Sequence, residues 1–168
     1  FVLNAVSATS IPVAAGARTS LMGFSTGGAP EVHGKDGLGG LCLDSVRTEP
    51  SKQQAVQLMR DLVEESDQPV SLVAVGPLTN VAMFVRLFPD SAAKLEQIVV
   101  MGGSTRGGNA TASAEFNIWH DPEAAHIVFK TERNFKKVRR LGPLFVHARS
   151  CLFPKVTTLR FLSSRQHT

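Results

Sequence analysis

The chain has 168 residues, 43% of them hydrophobic and 19% charged, enough for one domain with a core and too apolar for a disordered chain. No apolar run reaches the roughly 18 residues of a membrane span. The net charge of +4 is unevenly placed: residues 1–130 hold 9 basic and 13 acidic side chains, residues 131–168 hold 9 and 1.

The opening "FVLNAVSATS" has no basic n-region and does not read as a signal peptide. "SIPVAAGA" at 10–17 reads as a short buried strand. Residues 22–41 form a Gly-rich loop longer than a connector needs, which marks functional or mobile loops. In 51–66, Ala55, Leu58, Met59, Leu62 and Val63 share one helical face, with Ser51 as N-cap. "PVSLVAV" at 69–75 is a continuous apolar run, the pattern of a strand buried on both faces of a parallel sheet. A helix follows over 76–88, with Pro77 in its first turn. A second buried strand spans 94–101 and leaves through the loop 102–117. The last helix covers 121–130: Asp121 caps it, Pro122 takes the first helical position, and Glu123 adds favourable charge to the first turn. The order strand, helix, strand, loop, helix predicts an α/β fold with a Rossmann-like open, mostly parallel sheet.

The last 38 residues behave differently. Apolar residues are scattered, and "LGPLFV", where a next strand would fall, is flanked by basic clusters and broken by Pro143. The chain is therefore expected to divide at 130, with 131–168 a basic tail outside the domain. Such a tail is one route to nucleic acid or an anionic surface. Cys42 and Cys151 are the only cysteines and make neither a disulfide framework nor a metal cluster, so a reducing, cytoplasmic setting is expected.

Ligands of open α/β sheets bind beyond the carboxyl ends of the strands. The loop 102–117 leaves such an end, and its glycines allow close backbone approach. It carries Asn109, Glu115 and Asn117. A carboxylate with two amides suits a polyol, because the carboxylate accepts from vicinal hydroxyls and each amide both donates and accepts. It suits phosphate poorly. The competing reading makes both asparagines turn formers and leaves Glu115 solvated. "GKDGLGG" lacks the Lys-Ser/Thr ending of a P-loop. His33 is a lone histidine in a glycine loop, Met101 at a strand end reads as core, His126 as helix filler, and Asp121 beside His120 reads as a cap rather than half of an acid–base couple.

Four linked motifs, "VHGKDGLGGL", "VAVGPLTNVAM", "IVVMGGS" and "GNATASAEFNIWHDPEAAHIVF", together resemble the inosine–uridine preferring nucleoside hydrolases over residues 10–130. The resemblance implies hydrolysis of the N-glycosidic bond of purine or pyrimidine ribonucleosides to free base and ribose, in nucleoside salvage, by a homodimer or homotetramer. It implies a Ca²⁺ ion that binds the ribose 2′- and 3′-hydroxyls and the attacking water, an aspartate as base, and an oxocarbenium-like transition state. By matched position, Asn109, Glu115 and Asn117 are ribose ligands, Met101 lies against the ribose, Phe116 packs near its 5′ end, His33 is a pocket histidine, and the Val75 backbone carbonyl is a Ca²⁺ ligand.

The departures concern the catalytic machinery. The family's DxDxxxDD cluster, which supplies most Ca²⁺ ligands and the base, does not occur in this sequence, and neither does its later His-Asp pair. No catalytic residue is assigned in this chain, a tight Ca²⁺ site is not expected, and the chain reads as part of a hydrolase, inactive alone. Two rivals stand beside it. A non-catalytic ribose- or nucleoside-binding module predicts saturable binding without turnover. Nucleic-acid or anionic-surface binding through the tail needs only charge and is the less specific reading, so neither nucleic acid nor membrane is an expected partner.

Overall fold

The computed structural model describes residues 3, 6–25, 30–35, 37–40, 49–131 and 138–141. Strand β1 (Ala14–Ala15) pairs in parallel with β2 (Ser51–Gln54), and the one-turn helix α1 (Pro30–His33) lies between them in sequence. Helix α2 (Ala55–Glu64) follows β2 directly. Strand β3 (Val70–Ala74) leads into helices α3 (Thr79–Leu87) and α4 (Pro89–Ala93). Strand β4 (Leu95–Met101) leaves through a long loop into helices α5 (Phe116–His120) and α6 (Pro122–Lys130), and strand β5 (Val138–Leu141) follows. The second sheet has the order β3-β4-β5, parallel throughout. The expected α/β class and parallel sheet are therefore present.

The pleat sorts the strand side chains. Leu72 pairs with Ile98 and Ala74 with Val100, so these four share a face. Against them gather Val81, Phe84 and Val85 of α3, Ala124, Ala125 and Val128 of α6, and Val56 and Val63 of α2, in one buried cluster. Phe84, Ile98, Val100 and Val128 are completely enclosed. The opposite face carries Val73, Val99 and Met101, and it is open: Val73 is 50% exposed and Met101 41%. The expectation of strands buried on both sides thus holds for one side. An apolar run states that a strand can be covered twice, and the core helices described here pack on a single face.

Helix α2 begins at Ala55, three residues later than a Ser51 cap implies. Ser51 is not its cap. Its N–H donates to the Val13 carbonyl at 2.7 Å, drawing residues 51–54 into the strand beside β1, and Gln54 becomes an N-cap without a side-chain bond. Val56 is buried while Leu62, placed on the apolar face by spacing, is exposed. The shift follows from pairing: a backbone ladder competed with a serine cap and prevailed.

Strand β5 lies inside the stretch where the sequence predicts a tail outside the domain. Val138 pairs with Ile98 and Leu141 with Met101. Parallel pairing needs only backbone groups, so "VRRL" joins the sheet without the apolar run that a pattern search requires. The greater part of "LGPLFV" and of the basic tail lies outside the described residues. Among the described residues no helix is long and apolar enough to cross a membrane.

Candidate functional site

The ends of β3 and β4 point the same way, and one side chain ties them together. Asn117 Nδ2 donates to the Met101 carbonyl at 3.0 Å and lies 3.5 Å from both the Val75 carbonyl and Met101 Sδ. Two carbonyls can be met only by the amide nitrogen, so the network fixes the orientation of the amide. Asn117 is 7% exposed. A carboxylate here would face carbonyl oxygens. Asn117→Asp is therefore expected to destabilise the chain by about 2 kcal/mol at neutral pH, read as a lower urea midpoint, with part of the loss recovered in acid, where the carboxyl can donate.

Glu115 stands at the head of α5, 6% exposed. Its Oε2 accepts from the backbone N–H of Gly103 and of Asn117, both at 3.0 Å, and of Ile118 at 3.2 Å. It is thus the N-cap of α5 and a clasp on the β4 exit. Gly102 makes the approach possible. A Cβ there would lie 3.1 Å from Glu115 Oε2 and 3.6 Å from Asn117 Cβ. The reading of Glu115 as a solvated loop acid is overturned by this burial.

Asn109 completes the group. Its Oδ1 accepts from the Phe116 N–H at 2.7 Å. The loop around it is wound on the Ala114 carbonyl, which accepts from Asn109, Ala110 and Thr111 N–H at 3.1, 3.0 and 3.3 Å. Gly108 lies flat against that carbonyl. The three candidate residues therefore share one design, in which one polar atom of each is engaged in the fold. Among the described residues no partner is found for Glu115 Oε1, Asn117 Oδ1 or Asn109 Nδ2. Each of the three therefore keeps a second polar atom that the fold described here does not use.

The other expected site residues divide. Val75 and Met101 meet Asn117, as described. Phe116 sits on α5, but its ring stacks on His120 at 5.9 Å and leans on Trp119 at 6.1 Å. His33 is exposed on α1, where its carbonyl accepts from Gly39 N–H; no described bond brings it to Glu115 or Asn117. Asp121 caps α6 through the Ala124 N–H at 3.0 Å.

Two contributors are invisible to pattern reading. Thr79 and Asn80, inside "GPLTN", reach distant segments: Thr79 Oγ1 donates to Asp121 Oδ2 at 2.6 Å, and Asn80 Oδ1 accepts from the Ala17 N–H at 2.9 Å. Gly16 packs on Asn80 so closely that a Cβ would meet Nδ2 at 2.5 Å. The usable signal was a glycine at the end of the first strand, a mark of close approach.

The loop 102–117 thus leaves the carboxyl end of β4 in a parallel sheet, and comparison with known proteins shows which family this fold belongs to. The sequence model of the inosine-uridine preferring nucleoside hydrolases matches residues 1–166. The chain is 48% identical over 129 residues to the pyrimidine-specific ribonucleoside hydrolase RihA of Enterobacter sp. (strain 638), covering 77% of this chain and 41% of that protein. It is 45% identical over 130 residues to RihA of Shewanella sp. (strain ANA-3), again covering 41% of it. Among solved structures, the plant nucleoside hydrolase PpNRh1 superposes with a TM-score of 0.76 at 36% identity, covering 84% of this chain and 44% of that one. An inosine-guanosine nucleoside hydrolase superposes with a TM-score of 0.74 at 30% identity, covering 83% and 45%. The chain belongs to the inosine-uridine preferring nucleoside hydrolase family. It spans about two fifths of the length of the curated relatives it matches.

Proposed function

We propose that this chain provides the ribose-binding part of a ribonucleoside N-glycosidic hydrolase. One observation carries the reading: Glu115 and Asn117 are buried where two parallel strands end, each with one polar atom locked in the fold and another without a partner among the described residues. Glu115 Oε1 and Asn117 Oδ1 are acceptors, and Asn109 Nδ2 is a donor. Two acceptors and one donor match adjacent hydroxyls and a further sugar oxygen. The arrangement repels phosphate, which brings no donor and carries negative charge.

The same geometry favours the bond-breaking step. A ribose ring that loses its base gains positive charge. The Glu115 carboxylate is fixed beforehand by three N–H donors, so it needs no reorganisation as that charge develops. Ca²⁺, the metal implied by the family, takes six to eight oxygens, mostly charged. At these strand ends the described residues offer one carboxylate and the Val75 carbonyl, which Asn117 Nδ2 already approaches. Among the described residues no group of three or more His, Cys, Asp or Glu side chains is placed to hold a metal ion. The described residues do not fit the ion. The isolated chain is expected to bind ribose or nucleoside and not to release base.

The test is a reducing-sugar assay on the purified chain with inosine and uridine, with and without added Ca²⁺, beside a ribose titration followed by NMR. Saturable binding without ribose release is the expected result. Absence of binding would overturn the ribose reading. Calcium-dependent release would show that other residues complete a metal site and end the claim of inactivity.

A further inference from the structure

We propose that Asp121 is a positioning residue for the ribose loop, acting through α5; the inference rests on the ribose reading of Glu115 and Asn117. Asp121 is completely buried, 0% exposed, and its carboxylate joins three segments far apart in sequence. Oδ2 accepts from the Leu21 N–H at 2.9 Å and from Thr79 Oγ1 at 2.6 Å, and Oδ1 accepts from the Ala124 N–H at 3.0 Å. A cap needs only the last of these bonds. The other two fasten the turn at 20–24 and the helix that follows β3 to the junction of α5 and α6.

Helix α5 is five residues long, too short to hold itself. It is fixed at both ends by buried carboxylates: Glu115 clasps its start to Gly103, and Asp121 clasps its end to Leu21 and Thr79. The turn at 20–24 then closes a circuit. Ser20 N–H donates to the Phe24 carbonyl, and Phe24 N–H donates to Ser20 Oγ. The Phe24 ring meets Trp119 edge-on at 5.5 Å and His120 at 6.1 Å. Asp121 therefore controls α5 twice, directly at its last residue and through the aromatic contact of the turn it holds. Movement of α5 moves Asn117, and with it the bridge between the strand ends.

Asp121→Asn separates the roles. Asparagine is as good an N-cap as aspartate, so the Ala124 bond survives. Its NH₂ would then face the Leu21 N–H, donor against donor. Amide exchange on the full chain, measured by NMR without ligand, should show Leu21, Gly103, Asn117 and Ile118 exchanging about 10-fold faster, with the interior of α3 and α6 unchanged. Thr79→Val, which removes one donor and keeps the carboxylate, should move the same amides less; it carries the test if the first variant does not fold. Acceleration of Leu21 alone overturns the proposal, as does uniform acceleration of all amides. With ribose present, Asp121→Asn should weaken binding about 10-fold, the equilibrium counterpart of the loosened loop. If the wild-type chain does not bind ribose, the ribose reading falls, and the ligand-free exchange pattern alone decides whether Asp121 holds the loop.

Discussion

Gly108→Ala is expected to abolish ribose binding and to destabilise the chain by about 3 kcal/mol. An added Cβ would collide with the carbonyl oxygen, the carbonyl carbon and the nitrogen of Ala114. The obstacle is backbone, so no side-chain rotation relieves it. That carbonyl is also the acceptor for the N–H groups of Asn109, Ala110 and Thr111. Moving it breaks the winding that presents Asn109 to Phe116 N–H and Glu115 to Gly103 N–H. Urea unfolding gives the stability change, and a ribose titration gives the binding. A variant that binds ribose with wild-type affinity would show that the loop tolerates another path and that its geometry is not what holds the sugar.

Two substitutions at Glu115 separate its structural and ligand-binding duties. Glu115→Ala leaves the N–H groups of Gly103, Asn117 and Ile118 without their acceptor and should cost about 3 kcal/mol together with all binding. Glu115→Gln can set its one oxygen where Oε2 stands, keeping the three donors satisfied but without charge assistance, for a loss of about 1–2 kcal/mol. Its amide nitrogen then takes the place of Oε1. A hydroxyl that donated to Oε1 must turn and accept instead, and the negative charge is gone. Ribose affinity should fall about 10- to 100-fold, the range of a lost charge-assisted hydrogen bond. Parallel measurements on the two variants decide between the readings. If Gln matches wild type in affinity while Ala is destabilised, Glu115 is a cap and nothing more.

What the sequence discloses about this molecule depends on how local the cause is. Asp121, Pro122 and Glu123 declare the start of α6 because capping is settled within one turn, and the structure places them as expected. The strands before the two site loops are legible because β3 and β4 are apolar runs of ordinary length. Ser51 misleads, since its fate is decided by Val13, a residue far away in sequence. β5 is hidden for the same reason: "VRRL" has no pattern of its own, and its partner is β4. In the site, residue types point to a sugar but cannot show that each side chain faces two ways. That Glu115 binds Gly103, and that Asn117 bridges Val75 and Met101, are facts of three-dimensional closure. Phe116 and His33 show the same dependence on the folded chain: the ring of Phe116 rests on His120 and His33 is exposed on α1, placements that no motif announces.

Trp119 gives the site an optical signature. The chain has one tryptophan and no tyrosine, so essentially all of its near-ultraviolet emission arises from a single indole. That indole belongs to α5, between the two carboxylates that fix the helix, and it is 36% exposed beside Phe24 and Phe116. Emission from such a ring shifts to longer wavelength as water gains access. The colour of the light leaving a dilute solution of this protein therefore reports the seating of one short helix, without a label and without interference from the remainder of the chain.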